Sequence, residues 1–261
     1  MRKLKLEYDE YVNVEYRMGG LLKSWGDLKK KKDIIQTPVD AAKHWEEVCV
    51  LHEMPLDGDV WIQDPPHSSY PPSIAFKAAQ LQNNELAIHF LRRIKEMIFL
   101  EKKNIIHWYF LENAALEVGL DVARLKRDCE KKAKDRFKED LKLAKELNVN
   151  YFPTLIFEDK NGKQIVMKGC KEFSEVEHVI AELLPEAQKA EFDKSPDSLF
   201  KQFTTMTTKE FAFLNNSSIA EAEAILHELY RNEDIDKYES KSGIIWLSKF
   251  EVRKKKKVML K

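Results

Sequence analysis

The hydrophobic pattern begins with a short alternating stretch. Apolar and polar positions alternate over residues 11–17, with Val12 and Val14 on one side, which predicts a half-buried strand that ends at Gly19. Leu4 and the basic residues around it are typical of the last turns of a helix. The chain therefore begins with a short helix followed by a strand.

A helical spacing of apolar residues runs from Pro38 to about Leu147. Thr37 is the predicted N-cap of its first helix, because a proline at the first helical position follows it. Asp121 opens a long, highly charged helix near the end of the block. These features predict an inserted helical domain over residues 36–147.

Alternation returns in the next part of the chain. Residues 155–158 and 164–168 flank a turn with an Asn-Gly step at Gly162, which predicts a β-hairpin. A helix follows the hairpin, with Ser174 as its predicted N-cap and Glu177 completing a capping box.

The C-terminal part predicts a linker and a small separate unit. Residues 187–200 form the linker, and residues 201–250 have the order helix, helix, hairpin, which is the shape of a winged helix-turn-helix. Residues 251–261 are a basic tail. The second helix presents mainly acidic residues, which should repel DNA, so the unit is interpreted as a protein-interaction module. These residues are Glu221, Glu223, Glu228, Glu233 and Asp234.

Charge and composition narrow the function classes. The 261 residues hold 44 basic and 44 acidic side chains, so no net charge attracts nucleic acid or an anionic membrane. No stretch approaches the roughly 20 apolar residues of a membrane helix, and the first residues lack the apolar core of a signal peptide. The histidines form no metal-binding pattern, and no phosphate-binding glycine loop occurs. The sequence predicts no metal and no cofactor.

Three cysteines, Cys49, Cys129 and Cys170, lie far apart and form no Cys-x-x-Cys. Free thiols are typical of a reducing compartment, which predicts a cytoplasmic protein. Cys49 and Cys129 fall in helical segments without a resolving partner. Cys170 follows the hairpin directly and is the candidate for a single redox thiol.

Three stretches together carry a resemblance to a known family. Residues 54–82 ("MPLDGDVWIQDPPHSSYPPSIAFKAAQLQ"), 150–157 ("NYFPTLIF") and 208–249 resemble a cytoplasmic DsbA-like family with the thioredoxin fold. That family includes the bacterial adaptor that delivers the transcription regulator Spx to the ClpXP protease. The resemblance covers essentially the whole chain, and residues 54–82 are its most specific part.

The resemblance implies an α/β fold of the DsbA type of thioredoxin. Residues 1–35 and 148–186 would form the thioredoxin-like part, with the helical domain inserted and the winged-helix-like unit at the C-terminus. Members of the family begin with a further strand and a Cys-x-x-Cys before the region that resembles residues 2–12. We therefore expect that these residues are a fragment, or that the gene product begins upstream of Met1 with that strand and cysteine pair; the alternative is a natural homologue that tolerates their loss.

The resemblance also implies a peptide-binding site at Phe152, Pro153 and Thr154. In thioredoxin-like proteins a cis-proline lies at this place, so the Phe152–Pro153 bond is predicted to be cis. The backbone beside it can pair with an extended peptide. Trp61 and His67 are candidates for lining the same groove, although Trp61 also fits a core position.

Two functions remain open at this point. The chain is a thiol–disulfide oxidoreductase by descent, without a catalytic pair in these residues, or it is a non-catalytic adaptor that binds protein or peptide clients. Neither function involves nucleic acid or a membrane, and the oligomeric state cannot be deduced.

Overall fold

The structure is a computed structural model that describes residues 1–31 and 34–249. The predicted basic tail, residues 251–261, lies outside the described residues. The helices are α1 (Arg2–Tyr8), α2 (Trp25–Lys31), α3 (Pro38–His52), α4 (Val60–Gln63), α5 (Tyr70–Gln80), α6 (Asn84–Phe99), α7 (Trp108–Val118), α8 (Val122–Glu130), α9 (Lys132–Glu146), α10 (Phe173–Leu183), α11 (Pro196–Gln202), α12 (Thr208–Asn215) and α13 (Ile219–Arg231). The strands are β1 (Thr154–Glu158), β2 (Gln164–Lys168), β3 (Thr205–Thr207), β4 (Ile235–Ser240) and β5 (Gly243–Ser248).

The chain folds into two compact units. Unit 1 comprises Met1–Gly20 and Asp135–Phe192, and unit 2 comprises Leu21–Lys134 and Asp193–Lys261. Residues 36–134 of the predicted helical domain thus share unit 2 with the predicted C-terminal unit, whereas residues 135–147 of that domain belong to unit 1.

Unit 1 is built around the predicted hairpin. β1 and β2 pair antiparallel, with Leu155 opposite Met167 and Phe157 opposite Ile165. These four side chains pack on α1 and α10, because alternate residues of a strand face the same side of a sheet. The core residues from the two helices are Leu4, Tyr8, Val176, Val179 and Ile180.

The predicted strand over residues 11–17 does not form. Val12 and Val14 pack against the core of unit 1, as their alternation indicates. No strand among the described residues pairs with this segment, however, and a strand requires a neighbour for its backbone hydrogen bonds. Alternation correctly predicted which side chains face the core, but it could not supply the pairing partner.

Most helix boundaries follow their local signals. Thr37 accepts a hydrogen bond from the Asp40 N–H and Asp121 accepts one from the Arg124 N–H, so both predicted caps are confirmed. The predicted cap at Ser174 is wrong, because α10 begins one residue before it. Its capping box joins Glu172 to Glu175 instead.

The C-terminal part of unit 2 has the predicted helix, helix, hairpin order and two further elements. β3 joins the hairpin in a sheet of order β3-β5-β4. α11 occupies the end of the predicted linker, with Ser195 as its N-cap and Leu199 and Phe200 buried beneath it. A Ser-Pro-Asp start is a helix signal, and the two buried apolar residues hold the helix in place.

Candidate functional site

The proline loop, residues 151–154, leads into β1 in unit 1. Its Phe152–Pro153 peptide bond is cis. The carbonyl of Pro153 accepts a hydrogen bond of 2.8 Å from the Gly169 N–H, at the far end of β2. The hydroxyl of Thr154 donates to the Tyr151 carbonyl over 2.6 Å. These bonds fix the backbone of the loop on both sides of the proline.

The loop turns aromatic side chains toward solvent. Tyr151 is 59% exposed and Phe152 is 38% exposed, although both are large and apolar in character. Exposed aromatic rings of this kind are enriched where proteins bind other proteins, since they bury a large area at little entropic cost. The loop is therefore chemically suited to hold an extended peptide.

Two glycines lie beside the aromatic rings of the loop. The backbone of Gly169 has φ +82°, a conformation that favours glycine, and a Cβ atom there would make ordinary contact with Cε1 of Tyr151, at 3.4 Å. A Cβ atom on Gly19 would overlap the ring of Phe152. In the sequence pattern Gly19 marks only the end of a predicted strand, and Tyr151 has no signal of its own. A glycine pair after an alternating stretch was the only signal for Gly19.

The three cysteines are free and differ in their surroundings. Cys170 is exposed. It directly follows Gly169, whose N–H donates to the Pro153 carbonyl, so Cys170 is next in sequence to a residue bonded to the proline loop. Burial raises the pKa of Cys129 to about 11, and the nearby Asp128 adds to the shift, which disfavours a thiolate there. Cys49 is half-buried on α3, 4.0 Å from the Ser242 carbonyl.

The two groove candidates, Trp61 and His67, both lie in unit 2. Trp61 is 7% exposed and its ring lies against Trp45 and Phe99, at centroid distances of 5.7 and 5.6 Å. That packing corresponds to the core interpretation of Trp61. His67 is exposed. A groove role for either residue stays a prediction.

A lysine of the β4–β5 turn is surrounded by carboxylates in unit 2. We call Lys241, Asp57, Asp59 and Glu46 the wing-tip clamp. The Lys241 ammonium lies 3.3 Å from Asp57 Oδ1 and 3.1 Å from Glu46 Oε1, and it also contacts Asp59. Hydrogen bonding to Lys241 lowers the pKa of Asp59, and the reciprocal bond raises the pKa of Lys241. Asp57 and Asp59, which belong to the most specific stretch of the resemblance (residues 54–82), thus form ion pairs with Lys241.

A second ionic contact joins α6 to α12. Arg92 donates two hydrogen bonds to Glu210, of 2.9 and 2.8 Å, and a third of 2.7 Å to Glu96. Paired bonds between a guanidinium and a carboxylate are the stronger kind of ion pair. The C-terminal part is therefore attached to the helical part by charged contacts that include these two, within one compact unit.

In the part of the chain that the structure describes, no group of three or more His, Cys, Asp or Glu side chains is placed to hold a metal ion. Across residues 1–31 and 34–249, no helix is long and apolar enough to cross a membrane.

Comparison with known proteins adds relatives that cover nearly the whole chain. A family model described as "Thioredoxin" matches residues 1–178. The "ClpXP adapter protein SpxH" of Halalkalibacterium halodurans is 30% identical over 251 residues, which is 94% of this chain and 81% of that protein. The protein of the same name in Bacillus subtilis is 29% identical, over 95% of this chain and 82% of its own.

Two solved structures resemble the fold. A putative protein disulfide isomerase from Nitrosomonas europaea has a TM-score of 0.51 at 15% identity, covering 55% of this chain and 72% of that one. The cytosolic disulfide reductase DsbM of Pseudomonas aeruginosa has a TM-score of 0.50 at 19% identity, covering 60% and 76%. At these identities the likeness concerns the fold alone.

Proposed function

Because this chain belongs to the thioredoxin family, in its DsbA-like branch, we propose that it is an adaptor that binds a protein client and delivers it to a ClpXP-type protease. The observation that carries the proposal is how much of this chain aligns with the relatives named as adapter proteins. Their similarity spans 94–95% of the chain, so it includes most of the residues that follow the family match at residue 178. The relatives therefore share the C-terminal part as well as the thioredoxin-like part.

The proline loop supports the proposal as the place where a client binds. Phe152, Pro153 and Thr154 are the proposed contact residues, together with Tyr151. Their backbone is held by two hydrogen bonds, so little order has to be imposed when a peptide arrives. An extended peptide could pair with the loop backbone while the aromatic rings contact its side chains.

The C-terminal part supports a protein partner over DNA. α13 occupies the place of a recognition helix, and its exposed surface is acidic at Glu221, Glu223 and Glu228. We call the β4–β5 turn, residues 241–242, the wing turn. Its Lys241 could otherwise contact a phosphate, but it is paired with the carboxylates of Asp57 and Asp59. Binding to DNA requires Lys or Arg side chains that are available to phosphates. The proposal places the chain in the cytoplasm, where free cysteines stay reduced.

A reconstituted degradation assay tests the proposal. The chain is mixed with ClpX, ClpP and the Spx regulator of the organism that encodes it, and the loss of Spx is followed with time. We expect faster degradation with the chain present, and a loss of about tenfold of that stimulation for Phe152→Ala, since single aromatic anchors at interfaces contribute at this level. Tyr109→Ala, which removes another exposed aromatic ring on α7, should behave as wild type. An equal rate with and without the chain would reject Spx delivery.

Cys170 favours a second candidate function, thiol–disulfide exchange. Its thiol is exposed and follows the residue that bonds to Pro153. Reduction of insulin by dithiothreitol, with and without the 261-residue chain, separates the two functions. An adaptor leaves the rate at background. An increase that Cys170→Ser abolishes would favour the thiol function instead.

A further inference from the structure

The ring of Phe152 lies directly against the backbone of Gly19. A Cβ atom on residue 19 would overlap Cε1 and Cζ of Phe152 and would lie 3.2 Å from its Cδ1. Any residue other than glycine would therefore have to displace the ring. Phe152 keeps 38% of its surface exposed in this arrangement, so Gly19 supports the ring without covering it.

The backbone that precedes Gly19 is held by a buried carboxylate. Asp140 of α9 is 1% exposed. Its Oδ2 accepts a hydrogen bond of 2.9 Å from the Met18 N–H, and its Oδ1 accepts one of 3.1 Å from Nη1 of Arg17. The same hydrogen bond raises the pKa of Arg17, so the guanidinium stays charged. Bonds to a charged acceptor in a buried place are strong and directional.

We propose that Gly19 and Asp140 are positioning residues of the peptide site. Asp140 fixes the backbone at Met18, the adjacent Gly19 supports the ring of Phe152, and the ring is thereby held ready for a client. This inference rests on the proposed binding of clients at the proline loop. Neither Gly19 nor Asp140 touches the client, and both act through Phe152.

Substitution of Gly19 should move the ring and leave the fold intact. The atoms that a new Cβ would meet are at the far end of a partly exposed side chain, which can rotate away. Gly26→Ala is the matched control, because a Cβ atom there would have only Ser24 Oγ nearby, at 3.8 Å. Neither variant should melt at a lower temperature than the wild type, and Gly26→Ala should melt slightly higher because Gly26 lies in helix α2.

A double-mutant cycle tests the role of Gly19. The probe is fluorescently labelled, reduced and carboxymethylated α-lactalbumin, a permanently unfolded polypeptide, and its Kd is measured by anisotropy. We expect Gly19→Ala and Phe152→Ala each to weaken binding by about tenfold, and the double variant to bind no more weakly than Phe152→Ala alone. An unchanged Kd for Gly19→Ala, or additive losses in the double variant, would overturn the inference.

A measurement without any client separates this inference from the proposed function. In NMR spectra, the wild type should show nuclear Overhauser contacts between the Gly19 α-protons and the Phe152 ring, and Gly19→Ala should lose contacts from residue 19 to that ring. If Phe152→Ala leaves probe binding unchanged, client binding at the loop is wrong. If the ring keeps its place in Gly19→Ala, the positioning role is wrong, whatever the probe does.

Asp140→Asn tests the second positioning residue. Asparagine can still accept the Met18 N–H, but it loses the ion pair with Arg17. We expect weaker probe binding when Phe152 is present and no further loss in the Phe152→Ala background. An unchanged affinity, or a loss of the same size in both backgrounds, would overturn the role of Asp140.

Discussion

The proline loop precedes the β1–β2 hairpin, and the wing turn joins β4 to β5. The two differ in whether their side chains face solvent or contact other residues of the protein. The loop leaves Tyr151 and Phe152 in solvent, and its fixed hydrogen bonds involve backbone carbonyls. The wing turn has its charged residue, Lys241, against buried and half-buried carboxylates, and the adjacent Gly243 lies close to Pro55. A turn whose charged group is already paired within the protein serves stability, whereas exposed aromatic rings on a fixed backbone remain available for a partner.

This comparison predicts that substitutions in the wing-tip clamp change stability far more than substitutions in the proline loop. The free energy of unfolding, measured with chemical denaturant on the full chain, is the common scale.

The largest loss is expected for Asp57→Ala. Asp57 is fully buried, accepts the Asp59 N–H at 2.8 Å, and faces Lys102 and Lys241. Its removal takes the acceptor from the Asp59 N–H, separates two lysines from their shared carboxylate and empties a fully buried position, which should together cost about 2–4 kcal/mol. Glu47→Ala, which removes an exposed carboxylate paired with the exposed Lys43, is the control and should have no measurable effect. Equal losses for the two variants would contradict a structural role for the clamp.

A smaller loss is expected for Lys241→Met. The ammonium is 41% exposed, so solvent screens its ion pairs, and Lys102 still lies 3.5 Å from Asp57. We expect a decrease of about 1–2 kcal/mol, because the buried carboxylate loses one of two cations. Lys237→Met on the same hairpin removes an ion pair with the exposed Glu239 and a cation–π contact with Tyr230, and it should cost less than about 1 kcal/mol. A loss as large for Lys237→Met as for Lys241→Met would show that the clamp contributes nothing of its own.

Acid should weaken the clamp. Hydrogen bonding to Lys241 lowers the pKa of Asp59 in the folded protein below its value in the unfolded chain, about 3.9. The resulting stability is present above that value and is lost as the pH falls through the lower, folded pKa. The melting temperature of the wild type should therefore fall more steeply below about pH 4 than that of Lys241→Met. Parallel curves from pH 7 to pH 3 would exclude this contribution.

The smallest loss of stability is expected in the proline loop, for Thr154→Val. The variant loses one partly exposed hydrogen bond, to the Tyr151 carbonyl, which should cost about 0.5–1 kcal/mol. Thr154→Ser keeps the hydroxyl and should match the wild type. Binding of the unfolded probe should nevertheless weaken for Thr154→Val, because the loop backbone is less fixed. A stability loss as large as that of Asp57→Ala would make the loop a structural element and remove the contrast.

Much of the local structure could be predicted because its signals are local. The caps at Thr37 and Asp121 and the Asn-Gly turn at Gly162 depend on neighbouring residues, and they occur as predicted. The cap at Ser174 was misassigned by two residues, since Glu172 and Glu175 offered a competing capping box. The strand over residues 11–17 failed for another reason, since a strand depends on a partner elsewhere in the chain.

Some residues of the candidate site could likewise be deduced from the local sequence, and others could not. The Phe-Pro-Thr step identified Phe152, Pro153 and Thr154 through a family resemblance, and the sequence alone placed Cys170 after the hairpin. Nothing local distinguished Asp140 from the other acidic residues of a charged helix, or Gly19 from any glycine that ends an extended segment. Their roles arise from contacts with residues far away in the chain.

The sequence by itself determined the helical and hairpin segments with strong local signals, the side of residues 11–17 that faces a core, and the family that the proline loop resembles. Periodicity and capping act over a few residues, so they can be deduced without the fold. Only the tertiary structure decided which of the 44 acidic side chains pair with Lys241 and which glycine supports Phe152. The sequence around a charged residue or a glycine does not indicate which distant residue it will contact. That contact is set by how distant segments pack in the folded protein.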